Sequence, residues 1–395
     1  MNQSIVERYL QLGLQLGRHV DGIVDAYFGP PELSATIQAA PPVEPRALVT
    51  AADALLDELE DGWLRDQAAG LRTYAGVLAG EPRSYADEVE GCYGVRPTFT
   101  DESVFRAAHE RLEALLPGAG PLAERHARWE NSMRVPPEQV ERTVAAVMAE
   151  ARAWTKALVD LPDGEGVDLE IVRDQPWLAF NFYLGGLRSR FAVNVDLPMS
   201  ASDLLVLTLH EAYPGHHTER SIKDQRLVRA GGLLEEALVV VPTPQSLVSE
   251  GIATLAPHML LEGEGGAALA AVIRDAGIPF DLAQALAVER ARQPCRWAEV
   301  NAALMLYDSG ASEADVRAYI ERWGLMTPQL AAHVIRFLSE PTSRTYVITY
   351  PAGQELCRAF VAGQPERFRR LLTEQVRVGE LIQARDAGTP PATSQ

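Results

Sequence analysis

The sequence predicts a mainly α fold with one small antiparallel β-sheet flanking a central helix. Apolar residues recur at three- and four-residue spacings along most of the chain, the period of a helix with one buried face. That period is lost between Asp168 and Leu197, where β-branched and aromatic residues take over. Proline, glycine and capping signals punctuate the helical runs at the spacing expected of helical hairpins.

From Ile5 to Val24 the pattern is helical, with Ile5, Leu12 and Leu16 facing inward, and Gly29-Pro30-Pro31 stops it. Residues 45 to 82 read as a helical hairpin carrying Leu55 and Leu59 on one arm and Leu71, Tyr74 and Leu78 on the other. A further hairpin starts at Thr100-Asp101-Glu102-Ser103 and resumes after Pro136-Pro137 through Val140, Val144, Val147 and Trp154. Val167 to Val172, Trp177 to Leu184 and Arg190 to Val195 read as three strands of an antiparallel meander, with Gly185-Gly186 between the last two. The last strand, which carries Asn194, alternates partly between apolar and polar residues. As an edge strand it would hold an extended peptide by main-chain bonds; as a core strand it would not. Ser200-Ala201-Ser202-Asp203 has capping-box spacing and launches the apolar run Leu204 to Leu209. Leu233 to Leu238, Leu247 to Leu261, Ala267 to Asp275, Trp297 to Tyr307, Ala314 to Trp323, Pro328 to Leu338 and Tyr350 to Ala362 again read helical. The expected organisation is an N-terminal helical region over 1–165, a region over 166–386 with the sheet, the central helix and the C-terminal helices, and a disordered tail at 387–395. No linker is long enough to divide the chain, which reads as one compact unit.

The central helix ends in Leu209-His210-Glu211-Ala212-Tyr213-Pro214-Gly215-His216-His217. In a His-Glu-x-x-His helix, a turn of ~100° and a rise of ~1.5 Å per residue put both histidines on one face, where they share a zinc ion. Here Pro214 stands where the second histidine would be, so that motif is absent, and in a straight helix His216 would lie about 120° off the face of His210. Pro214 cannot donate a hydrogen bond to the His210 carbonyl, and Gly215 has backbone angles closed to other residues. The helix should break after Tyr213 and return a histidine to His210; His216, directly after the glycine, is favoured over His217. A helix stop with histidines at its C-terminal end is the plainer reading of the same residues. A catalytic zinc needs a third protein ligand, and Glu250, in Ser249-Glu250-Gly251-Ile252-Ala253 at the start of an apolar helix, is the candidate. Glu211, on a different face from His210, suits a general base acting on water.

With 395 residues and 47% apolar content the chain can bury a large core. A net charge of −18 argues against nucleic acid and anionic membrane surfaces as partners. Cys92, Cys295 and Cys357 form no Cys-x-x-Cys pair and read as buried thiols of a reducing compartment. With no basic-then-apolar N-terminus and no long apolar span, the expected location is cytoplasmic. Serine-hydrolase elbows, dinucleotide turns and P-loops are absent from the sequence.

Ser-Glu-Gly-Ile-Ala is similar to the Asn-Glu-Gly-Phe-Ala stretch of aminopeptidase N-like zinc peptidases, whose Glu is the third zinc ligand. His-Glu-Ala-x-Pro-Gly-His-His, then Ser-Glu-Gly, then Tyr-x-x-Gly resembles the bacterial family called domain of unknown function 885. That family in turn resembles the mostly helical metallopeptidases of the thimet oligopeptidase and carboxypeptidase Taq kind. The likeness runs from about Trp177 to Val361, with a weaker stretch at Val20–Pro30. Glu219 stands where that family is expected to have Gln, and Ile252 where it usually has Trp. The resemblance implies a helical metallopeptidase-like fold and one Zn2+ per chain held by His210, His216 and Glu250, with Glu211 as catalytic base. It also implies a catalytic Tyr350 donating to an oxyanion; Arg344 and Asn194 are candidate substrate-binding residues. The expected function is zinc-dependent hydrolysis of short peptides. The alternatives are a non-catalytic metal-binding relative, which His217 as a fourth ligand would mark, and a hydrolase of a small amide or ester.

Overall fold

The computed structural model describes residues 4–175 and 177–388. It is mainly α, with two small sheets. Helices occupy Pro45–Glu58, Trp63–Leu78, Pro137–Leu158, Ala201–Glu211, Pro244–Leu261, Trp297–Tyr307 and Thr349–Val361, close to the ranges the periodicity predicts, and further helices lie between them. The three cysteines are buried free thiols. No helix among the described residues is long and apolar enough to cross a membrane.

The chain forms two compact units, each assembled from discontinuous segments. One comprises Met1–Pro97, Ile222–Ile252 and Glu340–Gln395; the other comprises Thr98–Ser221 and Ala253–Ser339. The helices His216–Lys223 and Pro244–Leu261 each run across a segment boundary. In the first unit, the helices Ile5–Leu16, Pro45–Glu58 and Trp63–Leu78 pack Leu10, Leu16, Leu55 and Leu71 into one core. In the second, Val140, Val144 and Val147 of Pro137–Leu158 pack with Leu204, Leu205 and Leu209 of Ala201–Glu211 and with Phe191 and Val193 of the sheet. Full burial of each of these aliphatic side chains stabilises the fold by about 1.5–3 kcal/mol before entropy is counted.

Several local expectations are corrected. The first helix ends at Leu16, and Val24–Tyr27 is a strand, β1, antiparallel to a strand at Leu238–Val240. Local periodicity cannot reveal a strand whose partner lies more than 200 residues away. The run at Leu233–Leu238 is accordingly a short 3₁₀ turn, Leu234–Ala237, leading into that strand. Between β1 and that strand in sequence come the strands of a separate three-stranded sheet, β2 Gly166–Val172, β3 Ala179–Gly185 and β4 Arg188–Asn194; the Leu238–Val240 strand is β5. Its order is β2-β4-β3, with β4 antiparallel to β3 and parallel to β2, so it is mixed and not a meander. Asp168 and Glu170 on β2 receive hydrogen bonds from Arg188 and Arg190 on β4 at 2.5 and 2.9 Å, and the Arg190 guanidinium also lies over the Phe182 ring of β3. The strand carrying Asn194 is therefore central, paired on both sides, and cannot take an added peptide strand. Of the tail expected at 387–395, Ala387 and Gly388 complete the helix Val378–Gly388, and 389–395 lie outside the described residues.

The capping box at the central helix forms as its sequence requires. The Asp203 amide donates to Ser200 Oγ at 3.1 Å, and Asp203 Oδ2 accepts from the Ser200 amide at 3.0 Å. Ser200→Ala should cost about 1 kcal/mol, the usual loss for an N-cap, read as a lower urea midpoint with an unchanged m-value.

Candidate metal centre

The Ala201–Glu211 helix ends at Ala212, and the chain bulges before the next helix begins. The Gly215 amide donates to the Leu209 carbonyl at 3.0 Å, and the Thr218 amide to the Ala212 carbonyl at 3.3 Å. Each bond spans six residues instead of four, so the backbone bulges outward where Pro214 has no N–H to offer. A Cβ on Gly215 would lie 1.8 Å from the His210 carbonyl oxygen, so the position admits only glycine. The next helix, His216–Lys223, starts immediately. Its first side chain returns to His210: the two half-buried imidazoles stand with ring centroids 4.8 Å apart and planes at 88°.

The two histidines of the doublet have different surroundings. His217 is fully buried, with Nε2 2.9 Å from Glu165 Oε2 and Nδ1 2.8 Å from Ser189 Oγ. The same Glu165 oxygen accepts from the Tyr213 hydroxyl at 2.6 Å, and Glu165 Oε1 accepts from Arg152 Nε at 2.7 Å. Burial acts to raise the Glu165 carboxyl, but hydrogen bonds from His217, Tyr213 and Arg152 outweigh it and bring the group down to about 2. Burial lowers His217, which is therefore neutral at pH 7 and donates from Nε2 to the carboxylate. With Nδ1 then accepting from Ser189, both ring nitrogens of His217 are engaged.

Glu250 lies on the Pro244–Leu261 helix and is buried. Its Oε1 accepts from the Tyr346 hydroxyl at 2.6 Å. Burial first, and then the charge of Glu250, hold the Tyr346 hydroxyl well above the usual phenol range, so it acts as a donor. Two glycines permit the close packing beside this pair. A Cβ on Gly251 would meet the Gly353 carbonyl oxygen at 2.5 Å, and one on Gly353 would meet the Leu247 carbonyl oxygen at 2.6 Å. The glycines of Ser-Glu-Gly and Tyr-x-x-Gly thus let two helices touch backbone to backbone.

His210, His216 and Glu250 each offer one ligand atom, and these atoms all lie within 4.8 Å of one another. Two imidazoles and a carboxylate can share one divalent cation. Glu211 is buried, and its carbonyl accepts from Asn181 Nδ2 of β3 at 2.8 Å, which ties the end of the helix to the sheet. Tyr350 stands edge-on to Tyr346, ring centroids 5.6 Å apart, while Tyr346, one turn earlier, makes the contact to Glu250. The Arg344 guanidinium pairs with buried Glu88, and the Arg344 carbonyl accepts from the Tyr85 hydroxyl at 2.6 Å. Asn194 is buried and clamps a loop: its Nδ2 donates to the carbonyls of Gln175 and Trp177, and its Oδ1 accepts from the Asp196 amide. Sequence reasoning missed Tyr346, Glu165 and Ser189. Tyr346 was within reach of it, one helical turn before Tyr350; Asp163-Gly164-Glu165-Gly166 reads only as a turn.

No family model matches the chain, and no curated protein does. Among solved structures, the putative lipoprotein from Colwellia psychrerythraea is similar over 87% of this chain and 62% of its own, with a TM-score of 0.56 and 14% identity. A putative lipoprotein of unknown function from Shewanella oneidensis is similar over 90% of this chain and 67% of its own, with a TM-score of 0.53 and 13% identity. The chain therefore spans less than two thirds of the Colwellia protein, and at these identities the likeness is one of fold.

Gly353→Ala should destabilise the protein by about 1–3 kcal/mol in urea unfolding, because the added methyl meets backbone atoms that cannot turn aside. Acid titration should expose the Glu165 network. Its folded-state pKa of about 2 lies below the ordinary 4.5. Its contribution is therefore complete above the unfolded value and is lost as pH falls through the folded one. The stability gap between wild type and Glu165→Gln should be constant at neutral pH and narrow steadily as pH falls from about 4.5 towards 2.

Proposed function

We propose that this protein is a zinc-dependent hydrolase of short peptides, with one zinc held by His210, His216 and Glu250 and with Glu211 as the general base. The observation that supports it most is the convergence of three ligand atoms within 4.8 Å from two motifs some 40 residues apart in sequence. The donor set fits: two imidazoles and a carboxylate form a three-ligand set of the kind that leaves a catalytic zinc one open position. Tyr346 on Glu250 is the kind of outer hydrogen bond that orients a ligating carboxylate. His217, with both ring nitrogens engaged, does not supply a fourth ligand, which weighs against a closed structural site.

Zinc bound there would act as a Lewis acid, polarising a substrate carbonyl and acidifying water. Glu211 would take the proton of the attacking water and pass it to the leaving amine. Tyr350 would donate to the oxygen on which charge develops. β3 is an edge strand of the three-stranded sheet and is tied through Asn181 to the Glu211 carbonyl; an extended peptide laid along it by main-chain bonds would run beside the motif helix. Resemblance to the domain of unknown function 885 family, carried by His210-Glu211-Ala212 and Pro214-Gly215-His216-His217, supports the same reading.

Elemental analysis of protein purified without an affinity tag or added metal should find about one zinc per chain in wild type, and loss of it in His210→Ala and in Glu250→Ala. Wild type that carries no metal and binds none on titration would sink the reading. Glu211→Gln should keep the zinc and lose turnover on short peptides by about 10²–10⁴-fold. Activity confined to small amides or esters would move the substrate class without moving the ligands.

A further inference from the structure

The residues on either side of the bulge are held by one buried carboxylate that belongs to neither motif. Tyr213 precedes Pro214-Gly215-His216, and His217 follows it. The hydroxyl of the first, at 2.6 Å, and Nε2 of the second, at 2.9 Å, reach the same oxygen, Glu165 Oε2. Glu165 lies immediately before β2, and its other oxygen is held by Arg152 of the Pro137–Leu158 helix at 2.7 Å. The far side of the His217 ring is held by Ser189 of β4 at 2.8 Å. Tyr213, His217, Ser189 and the Glu165 side chain are all buried. Three scaffold elements thus grip both ends of a three-residue turn whose last member is His216.

We propose that Glu165 is a positioning residue for His216, gripping Tyr213 and His217 so that the imidazole between them is presented to His210; its role in metal binding rests on the zinc reading above. Successive side chains on a helix diverge by ~100°, so the two histidines cannot face the same partner. His217 anchors to the scaffold, and His216 faces His210. Without the carboxylate, Tyr213 and His217 lose a shared acceptor in a dry site, and the turn that aims His216 keeps only the Ser189 bond to His217.

Two measurements on the full chain test this. The first is metal-free: hydrogen exchange of the Gly215 amide, which is bonded to the Leu209 carbonyl across the turn. Glu165→Gln and Ser189→Ala should each speed that exchange by roughly tenfold or more relative to amides in the middle of the Pro137–Leu158 helix. The second is zinc affinity by chelator competition, in wild type and in a His216→Ala background. Glu165→Gln should weaken binding about 10- to 100-fold in the first and have no further effect in the second. Unchanged Gly215 exchange in both variants overturns the proposal, as does an affinity loss of equal size in both backgrounds. A wild type that takes up no zinc, with Gly215 exchange still accelerated, overturns the zinc reading and supports Glu165 as the anchor of His216.

Discussion

The Gly215 backbone approaches the His210 carbonyl so closely that no Cβ fits between them, and the rest of the candidate centre depends on that approach. In a straight helix His216 would face away from His210 by about 120°. Six-residue hydrogen bonds replace the ordinary four-residue ones at Gly215 and Thr218, which lets the chain bulge without leaving those amides unpaired. Pro214 and Gly215 divide the work: the first removes a donor that a continuing helix would need, and the second removes the side chain that would block the turn. The outcome is a pair of imidazoles face to edge at 4.8 Å, reached by a route different from two histidines four residues apart on one helix.

Such a turn carries polar backbone in a buried place, and its surroundings compensate. Burying Glu165, His217, Tyr213 and Ser189 together costs desolvation, which hydrogen bonds offset only if every partner is present. Here the carboxylate receives three donors and the imidazole uses both nitrogens. The network therefore fixes one geometry for the turn more than it adds net stability. The apolar side chains around it, Leu204, Leu205 and Leu209 against Val140, Val144 and Val147, supply the larger stabilising contribution.

Glu250 is held by a second close approach. Gly251 and Gly353 let two helices pack backbone to backbone, and Tyr346 on the adjoining turn reaches the carboxylate. A methyl group at either glycine would push the helices apart. The small residues of these two motifs thus have a packing role beside whatever chemistry their neighbours perform.

The sequence by itself determined the mainly α character, the capping box at Ser200, the break at Pro214-Gly215 and the candidate ligand set His210, His216 and Glu250. Each rests on local rules: periodicity, N-cap chemistry, a missing N–H, a missing Cβ, and the donor chemistry of His and Glu. Tertiary structure alone decided what depends on distant partners. Val24–Tyr27 became a strand because Leu238–Val240 pairs with it, and β4 lies at the centre of its sheet because it pairs with β2 on one side and β3 on the other. It also separated the roles within pairs that look alike in sequence. His216 stands by His210 while His217 turns to Glu165, Tyr346 contacts Glu250 one turn before Tyr350, and Arg344 and Asn194 are engaged by Glu88 and by loop backbone. Adjacent residues on a helix point about 100° apart, and only the packed neighbours establish what each direction meets.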